Sequence, residues 1–391
     1  MSTDRKTVES ETIDRLRPLL ALMVVGLHVR PYYTTGTETF FDGLYEASVI
    51  TIYRVLFSVA VPFFFLISGY YFFKGMEEWD LAVWKVKIKK RVGSLLVPYL
   101  LWNIIALVGY FFTRLSGHII KGAPIPYLFA ELGERGWLRI FWDRCLYGDI
   151  RTDKVNLFGY AVSTGTPMNE PTWFLRDLMV VILFTPLIWW LIRHFKKNFI
   201  LLFGLLYVVD LWIPFAGFSS KAFFLFSLGA WLMLNGKNLV SVSGKYPRLL
   251  ASLSLLLLIL SSMSFGTNEW LYCISSRLFI LCAIPVLFQI VSKKVAWDRE
   301  GRATEVRKNL SKCSFFIYVI HTVLITDAIN WAFASIVHSQ NKMVLFILLT
   351  VCTLIVFFTC YTIWLLMNRF TPNLLNVLTG NRSSRPLTSN P

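Results

Sequence analysis

Apolar runs long enough to cross a lipid bilayer recur along this 391-residue chain, and they constrain its fold more than any motif does. A helix rising about 1.5 Å per residue needs about 20 mostly apolar residues to cover a hydrocarbon core of about 30 Å. Stretches of that length give ten spans, at roughly 16–33, 49–73, 94–113, 172–192, 198–215, 219–235, 248–264, 269–291, 313–337 and 343–368. The pair 198–215 and 219–235 is separated only by a short turn holding Pro214 and Gly217. The expected fold class is therefore all-α. It is a polytopic integral membrane protein of about ten transmembrane helices, with residues 1–391 forming a single domain. The first apolar run is short enough to suggest a signal peptide, but Arg30-Pro31-Tyr32 makes a poor cleavage site.

Charge sets the expected orientation. Only 16% of residues are charged, against about 25% in a soluble domain, yet the net charge is +16. In an apolar chain that surplus points to cytoplasmic loops, and no nucleic-acid partner is expected. Lys and Arg concentrate in alternate connections. These hold Arg5 to Arg17, Lys74 to Arg91, Arg193 to Lys197, Lys237 to Arg248, Lys293 to Lys312 and the tail's Arg369, Arg382 and Arg385. The positive-inside rule then predicts a multi-pass cell-membrane protein with both termini cytoplasmic. Residues 114–171 become a long outer loop and residues 371–391 a short cytoplasmic tail. The six cysteines form no CxxC or Cys/His cluster, so neither a metal site nor a disulfide framework is expected.

Two connections exceed what passage requires. The outer loop mixes Tyr127, Trp137, Phe141, Trp142, Tyr147, Phe158 and Tyr160 with charges, which suits carbohydrate contact or an interfacial belt. The inner loop 74–93 ends in an amphipathic stretch. Trp84, Ile88, Val92 and Leu95 recur at helical spacing beside Lys85, Lys87, Lys89, Lys90 and Arg91. It reads either as an interfacial helix on anionic lipid or as a phosphate-binding rim.

Ionisable residues inside spans are expensive and usually face a bundle interior or a watery cavity. They are His28, Arg54, Arg176, Asp177, Asp210, Arg277, His321 and Asp327. Arg176, Asp177, Asp210 and Asp327 read as span-end charges that reach the interface. Arg277 lies deeper and reads as inward-facing. Arg17 and His28 are eleven residues apart, three helical turns plus about 20°, so both face one side about 16 Å apart along the axis. A histidine at that depth is either a general base or a polar residue bonded to a neighbouring helix. His321 follows Tyr318 by three residues on one face, as a structural pair or a catalytic one. No Ser-His-Asp order, GxSxG elbow, Walker loop, GxGxxG or His-x4-Asp spacing occurs.

These residues resemble the acyltransferase-3 family of integral membrane O-acyltransferases. Ile13-Asp14-Arg15-Leu16-Arg17 followed by His28 is similar to its Arg-x10-His signature, and Phe63 to Tyr70 to its second-span ending. The basic run to Arg91 followed by Pro98-Tyr99 resembles the entry to the third span. Pro171-Thr172-Trp173-Phe174-Leu175 resembles its Trp-Phe-Leu element, and Phe315 to His321 its late Tyr-x2-His element. The resemblance implies transfer of an acyl group, usually acetyl, to a hydroxyl of an extracytoplasmic or lipid-linked glycan. It implies acyl-CoA, in the usual case acetyl-CoA, as co-substrate, with no bound cofactor. His28 and Arg17 become the catalytic residues. Arg17, Lys87, Lys90 and Arg91 would pair with donor phosphates, and Arg277, Tyr318 and His321 would support them. Direct transfer and an acyl-enzyme relay both fit. A secondary transporter of a glycan intermediate or acyl group is the competing class, and a non-catalytic scaffold in glycan assembly a third.

Overall fold

The computed structural model describes residues 2–29, 40–121, 137–143, 154–155, 161–162, 165–213, 215–297, 305–337 and 341–382. Those residues are overwhelmingly helical. The one ladder among them pairs β1 (Lys154–Val155) antiparallel with β2 (Ala161–Val162).

Helix α1 (Ser2–His28) runs through the middle of the bundle. Leu16, Leu20, Ala21, Val24 and Val25 are wholly or almost wholly buried, so its second half meets protein on most sides. Helix α2 (Phe40–Val49) passes through a π turn at Ile50–Leu56 and a 3-10 turn into α3 (Ala60–Phe72). Helix α4 (Leu81–Arg91) starts at Asp80, whose carboxylate accepts from the amides of Ala82 and Val83 at 2.7 and 3.2 Å. Such a cap satisfies amides that have no partner within the helix.

A π turn at Val92–Leu96 then joins α4 to α5 (Val97–Lys121), making one apolar length from Leu81 to Ile120. The stretch read as part of a separate inner loop is thus the stem of this span. Its indole Trp84 Nε1 donates to Thr185 Oγ1 at 2.9 Å. The wider π turn also changes the phase of the helix. Val92, expected on the apolar face, is exposed, while Leu95 is buried.

Helices α6 (Trp173–Leu183) and α7 (Thr185–Val208) bend by 61° about Phe184. Helix α8 (Ser220–Leu234) then lies directly on α3. A Cβ added at Gly69 would stand 2.0 Å from Phe226 O, and one at Gly229 2.0 Å from Leu66 O. Only glycine lets the two backbones approach so closely. Helix α9 (Leu239–Ser243) leads to the hairpin of α10 (Pro247–Ser264) and α11 (Glu269–Trp297). Helix α12 (Glu305–Ile320) breaks at a π turn, His321–Ile325, before α13 (Thr326–Ile336). Helix α14 (Lys342–Phe370) and the short α15 (Pro372–Thr379) complete the described chain.

Six helices among the described residues are long and apolar enough to cross a membrane, or seven if the bent α6–α7 pair is one span, not the expected ten. Three readings account for the difference. Only residues 16–28 of the first expected span lie in a described helix, and Asp14, Arg15 and Arg17 charge its approach. The expected spans 172–192 and 198–215 share the bent pair, although α7 is itself broken between them at Lys196 (φ +51°, ψ −127°). The expected span 219–235 is α8, which is too short and is buried along most of its length.

The tail also differs from expectation. Helix α15 folds back onto the bundle, with Leu375 and Leu378 buried and Trp102 Nε1 donating to Leu378 O at 2.9 Å. Of the outer loop, Tyr127, Tyr147, Phe158 and Tyr160 lie outside the described residues. Its described turn, Trp137–Phe141, packs Ile140 with Met168 against Ala106, Leu107, Tyr110 and Phe111 on α5.

Candidate active site

Two histidines from opposite ends of the sequence meet where α1 stops and α12 breaks. His28 is the last residue of α1, and His321 opens the π turn after α12. His321 Nε2 lies 3.2 Å from His28 Nδ1, with ring centroids 4.9 Å apart and planes at 66°. His321 is fully buried, and His28 is partly open.

Backbone carbonyls assign the tautomers. His28 Nδ1 lies 2.9 Å from Val24 O, and His321 Nδ1 lies 3.1 Å from Ile317 O. Carbonyl oxygens only accept, so each Nδ1 carries the hydrogen of a neutral ring. The lone pair on His321 Nε2 then faces the Nδ1–H of His28, which is shared with Val24 O. The basic nitrogen of His28 is therefore Nε2. An imidazole held through its other nitrogen is an arrangement that suits a general base.

The helix breaks just beyond His321. Val323 has ψ +84° and Leu324 φ +66°, while Thr326 Oγ1 donates to His321 O at 2.7 Å. A network of neutral side chains braces the break. Thr322 Oγ1 donates to Asn169 Oδ1 at 2.9 Å, and Asn169 Nδ2 to Val319 O at 2.8 Å. Asn103 Oδ1 accepts from the Asn169 amide at 2.9 Å, and Asn103 Nδ2 donates to Tyr99 O and Thr172 Oγ1. Asn103, Asn169 and Thr172 are buried. Sequence reasoning missed this brace because it searched for charges. The available signal was Asn103, an amide inside an apolar run.

The other sequence-predicted residues divide between this centre and the frame. Tyr318 donates its hydroxyl proton to Pro171 O, not to His321, and so ties α12 to the turn before α6. Arg277 pairs with Asp210 at 2.6 Å and donates to Tyr207 O, bridging α11 to the end of α7. Arg277 is thus inward-facing as expected, but its described partners are there and not at the histidines. Asp210 is a bridge partner, not a charge that reaches the interface. Arg176 and Asp177 also depart from that reading. They form a buried pair at 2.9 Å, and Arg176 donates further to Trp142 O and Gly165 O. An uncompensated charge there would be too costly, so the pair and its carbonyl acceptors sit together. Asp327 and Arg54 are exposed.

The basic residues lie at the far end of α1 and along α4. Arg17 pairs with Asp14 at 2.8 Å and is 46% exposed, an ion pair worth only about 0–1 kcal/mol. Its guanidinium is therefore held weakly. Lys87 is more committed, since its ammonium donates to Phe72 O and, at 2.8 Å, to Lys74 O. Lys90 is exposed and Arg91 half-buried.

A family model described as an acyltransferase domain matches residues 11–362, which include both histidines, Arg17 and Lys87 to Arg91. The succinoglycan biosynthesis protein ExoH of Rhizobium meliloti (strain 1021) is 29% identical over 235 residues, 59% of this chain and 55% of that protein. A serine/alanine racemase of Enterococcus gallinarum is 28% identical over 135 residues, 34% of this chain and 18% of that protein. The matches therefore span about half of the first relative and less than a fifth of the second. No solved structure matches the chain.

Proposed function

The chain belongs to the acyltransferase family whose model covers residues 11–362, and from that premise we propose that it transfers an acyl group, in the simplest case acetyl, from cytoplasmic acyl-CoA to a hydroxyl of an extracytoplasmic or lipid-linked glycan. The observation that carries the reading is the 3.2 Å contact between His28 and His321 inside a membrane bundle. The glycan class is supported by the relative named for succinoglycan biosynthesis. The racemase-named relative shares too little of its length to lend its activity.

The acceptor hydroxyl would lose its proton to His28 Nε2 as its oxygen attacks the thioester carbonyl. The new C–O bond forms, and the carbonyl electrons move to oxygen. When they return, the C–S bond breaks, and the proton on His28 passes to the departing sulfur. The products are the glycan ester and free CoA thiol. Throughout, Val24 O and His321 Nε2 accept from His28 Nδ1–H, which fixes the ring and favours its transient cation. General-base assistance of this kind is typically worth about 10²–10⁴ in rate. Arg277 and Tyr318 support the site by fixing helix positions. The positive-inside rule, applied to the basic connections, supports a cytoplasmic side for both termini, which would put Arg17, Lys90 and Arg91 on the donor's side.

Purified protein supplied with acetyl-CoA and a glycan acceptor tests the proposal through release of free thiol. Acceptor-dependent release that disappears in His28→Gln is expected. A transporter or scaffold would consume no acetyl-CoA, and that result would overturn the enzyme reading.

A further inference from the structure

Helix α15 lies beyond the matched family region, yet it carries an arginine to the basic end of α1. The helix ends at Gly380, whose φ of +65° is the left-handed conformation that glycine adopts freely. A Cβ there would stand 2.7 Å from Ser94 Cα and 2.8 Å from Ser94 O. This close approach fixes the chain against the π turn that follows Arg91. Two residues on, Arg382 lays its guanidinium over Phe315, 3.8 Å from the ring centroid, and donates to Thr379 O at 3.3 Å.

Phe315 leads in turn to α1. It lies one helical turn beyond Ser311, whose hydroxyl donates to Asp14 Oδ1 at 3.4 Å. Asp14 is the carboxylate that holds Arg17. Three arginines from α1, α4 and the end of α15 therefore converge. Among the described residues, Asp14 is the one carboxylate paired with any of them.

Burial, followed by the charges of Arg91 and Arg17, lowers the pKa of Arg382 from the ordinary arginine value. A guanidinium keeps its proton in proteins, so the cluster carries an electrostatic cost that a bound anion would relieve. Planar guanidinium groups suit phosphate oxygens, which accept paired hydrogen bonds.

We infer that Arg382 adds a third guanidinium to the donor-phosphate site expected of Arg17 and Arg91, and that α15 walls that site on one side. Naming the donor rests on the acyl-transfer reading above, whereas the anion site rests on the three arginines. A lipid headgroup carries the same phosphate chemistry. Arg382, however, lies half-buried over Phe315, whereas Lys85, Lys89 and Lys90 of α4 are exposed, as is Arg17.

Binding of coenzyme A and of adenosine 3′,5′-bisphosphate to the full chain provides the test. The protein is placed in nanodiscs of phosphatidylcholine, with or without phosphatidylglycerol. Arg382→Gln is expected to weaken both ligands by about tenfold or more in either lipid. Arg382→Lys is expected to lose less, because it keeps the charge but not the planar fork. Unchanged affinity in folded Arg382→Gln would overturn the site, as would a defect confined to phosphatidylglycerol discs. Should Arg382→Gln fail to accumulate, unchanged affinity in both Arg382→Lys and Arg91→Gln would overturn it. The two readings fail separately. Undiminished ligand binding in an active Arg382→Gln removes the anion site alone. Arg382-dependent binding by a protein that transfers no acyl group removes the acyl-transfer reading alone.

Discussion

A histidine in a bilayer-spanning bundle is defined by what each ring nitrogen faces. For His28, Nδ1 faces Val24 O and His321 Nε2, so Nε2 carries the lone pair. Replacing His28 by Gln keeps a hydrogen-bonding side chain but removes the proposed base, and acyl transfer should fall by at least about 100-fold. Abundance should hold, because one intramembrane hydrogen bond averages only about 0.6 kcal/mol. On the proposed mechanism His321 acts through His28, so its variants should grade. Gln can still accept from His28 Nδ1–H, whereas Leu cannot. The turnover number should therefore fall further in His321→Leu than in His321→Gln, with KM for the donor little changed in either. Equal turnover in those two variants would reduce His321 to packing. The sequence made His28 a candidate because an eleven-residue interval puts Arg17 on the same face of one helix. It could not reveal a partner 293 residues away, since that contact depends on how two helix ends pack in the bundle.

At the level of whole elements, sequence periodicity read lengths better than it read neighbours. The crossing of α3 and α8 depends on Gly69 and Gly229, and neither stood out among the apolar residues. A side chain at Gly229 would meet Leu66 O at 2.0 Å, and backbone cannot yield as a flexible side chain can. Gly229→Val should therefore destabilise the bundle by at least about 1–3 kcal/mol, the usual cost of overpacking. Thermal unfolding followed by size-exclusion chromatography in detergent measures this, and an unchanged midpoint would contradict the close crossing. The start of α6 makes a second case. Arg176 and Asp177 read as span-end charges because sequence shows only their nearness to a boundary. The fold closes Trp142 O and Gly165 O over Arg176 instead. Arg176→Met would take the paired guanidinium from the Asp177 carboxylate and leave it the Ser219 hydroxyl and the charge of Lys221, at a cost of up to about 3–5 kcal/mol, whereas Arg176→Met/Asp177→Leu should recover part of the loss. If the double variant is no more stable than the single one, the charge is not what the fold depends on.

For the molecule as a whole, hydropathy reports contact with lipid more directly than passage through it. The long apolar helices α10, α11 and α14 were therefore legible, with boundaries close to those expected. Helices α1 and α8 are shielded by protein and need less apolar length, so the number of helices meeting the length and composition test is a poor guide to how often the chain crosses. Parity of that number cannot orient the protein, whereas basic residues in the connections can, because they resist translocation. That argument predicts Lys89 inside and the 114–171 connection outside. Both Lys89 and Trp137 are exposed, so cysteines introduced there are open to reagent. Cys145 lies in the same 114–171 connection and would label with it, so the background should carry Cys145→Ser. In intact cells, a membrane-impermeant maleimide should label Trp137→Cys and spare Lys89→Cys until the membrane is opened. Labelling of Lys89→Cys alone in intact cells would invert the bundle and put Arg17 and Arg91 on the side away from a cytoplasmic donor. Such a result would sink the donor-side assignment even if the two histidines still performed the chemistry.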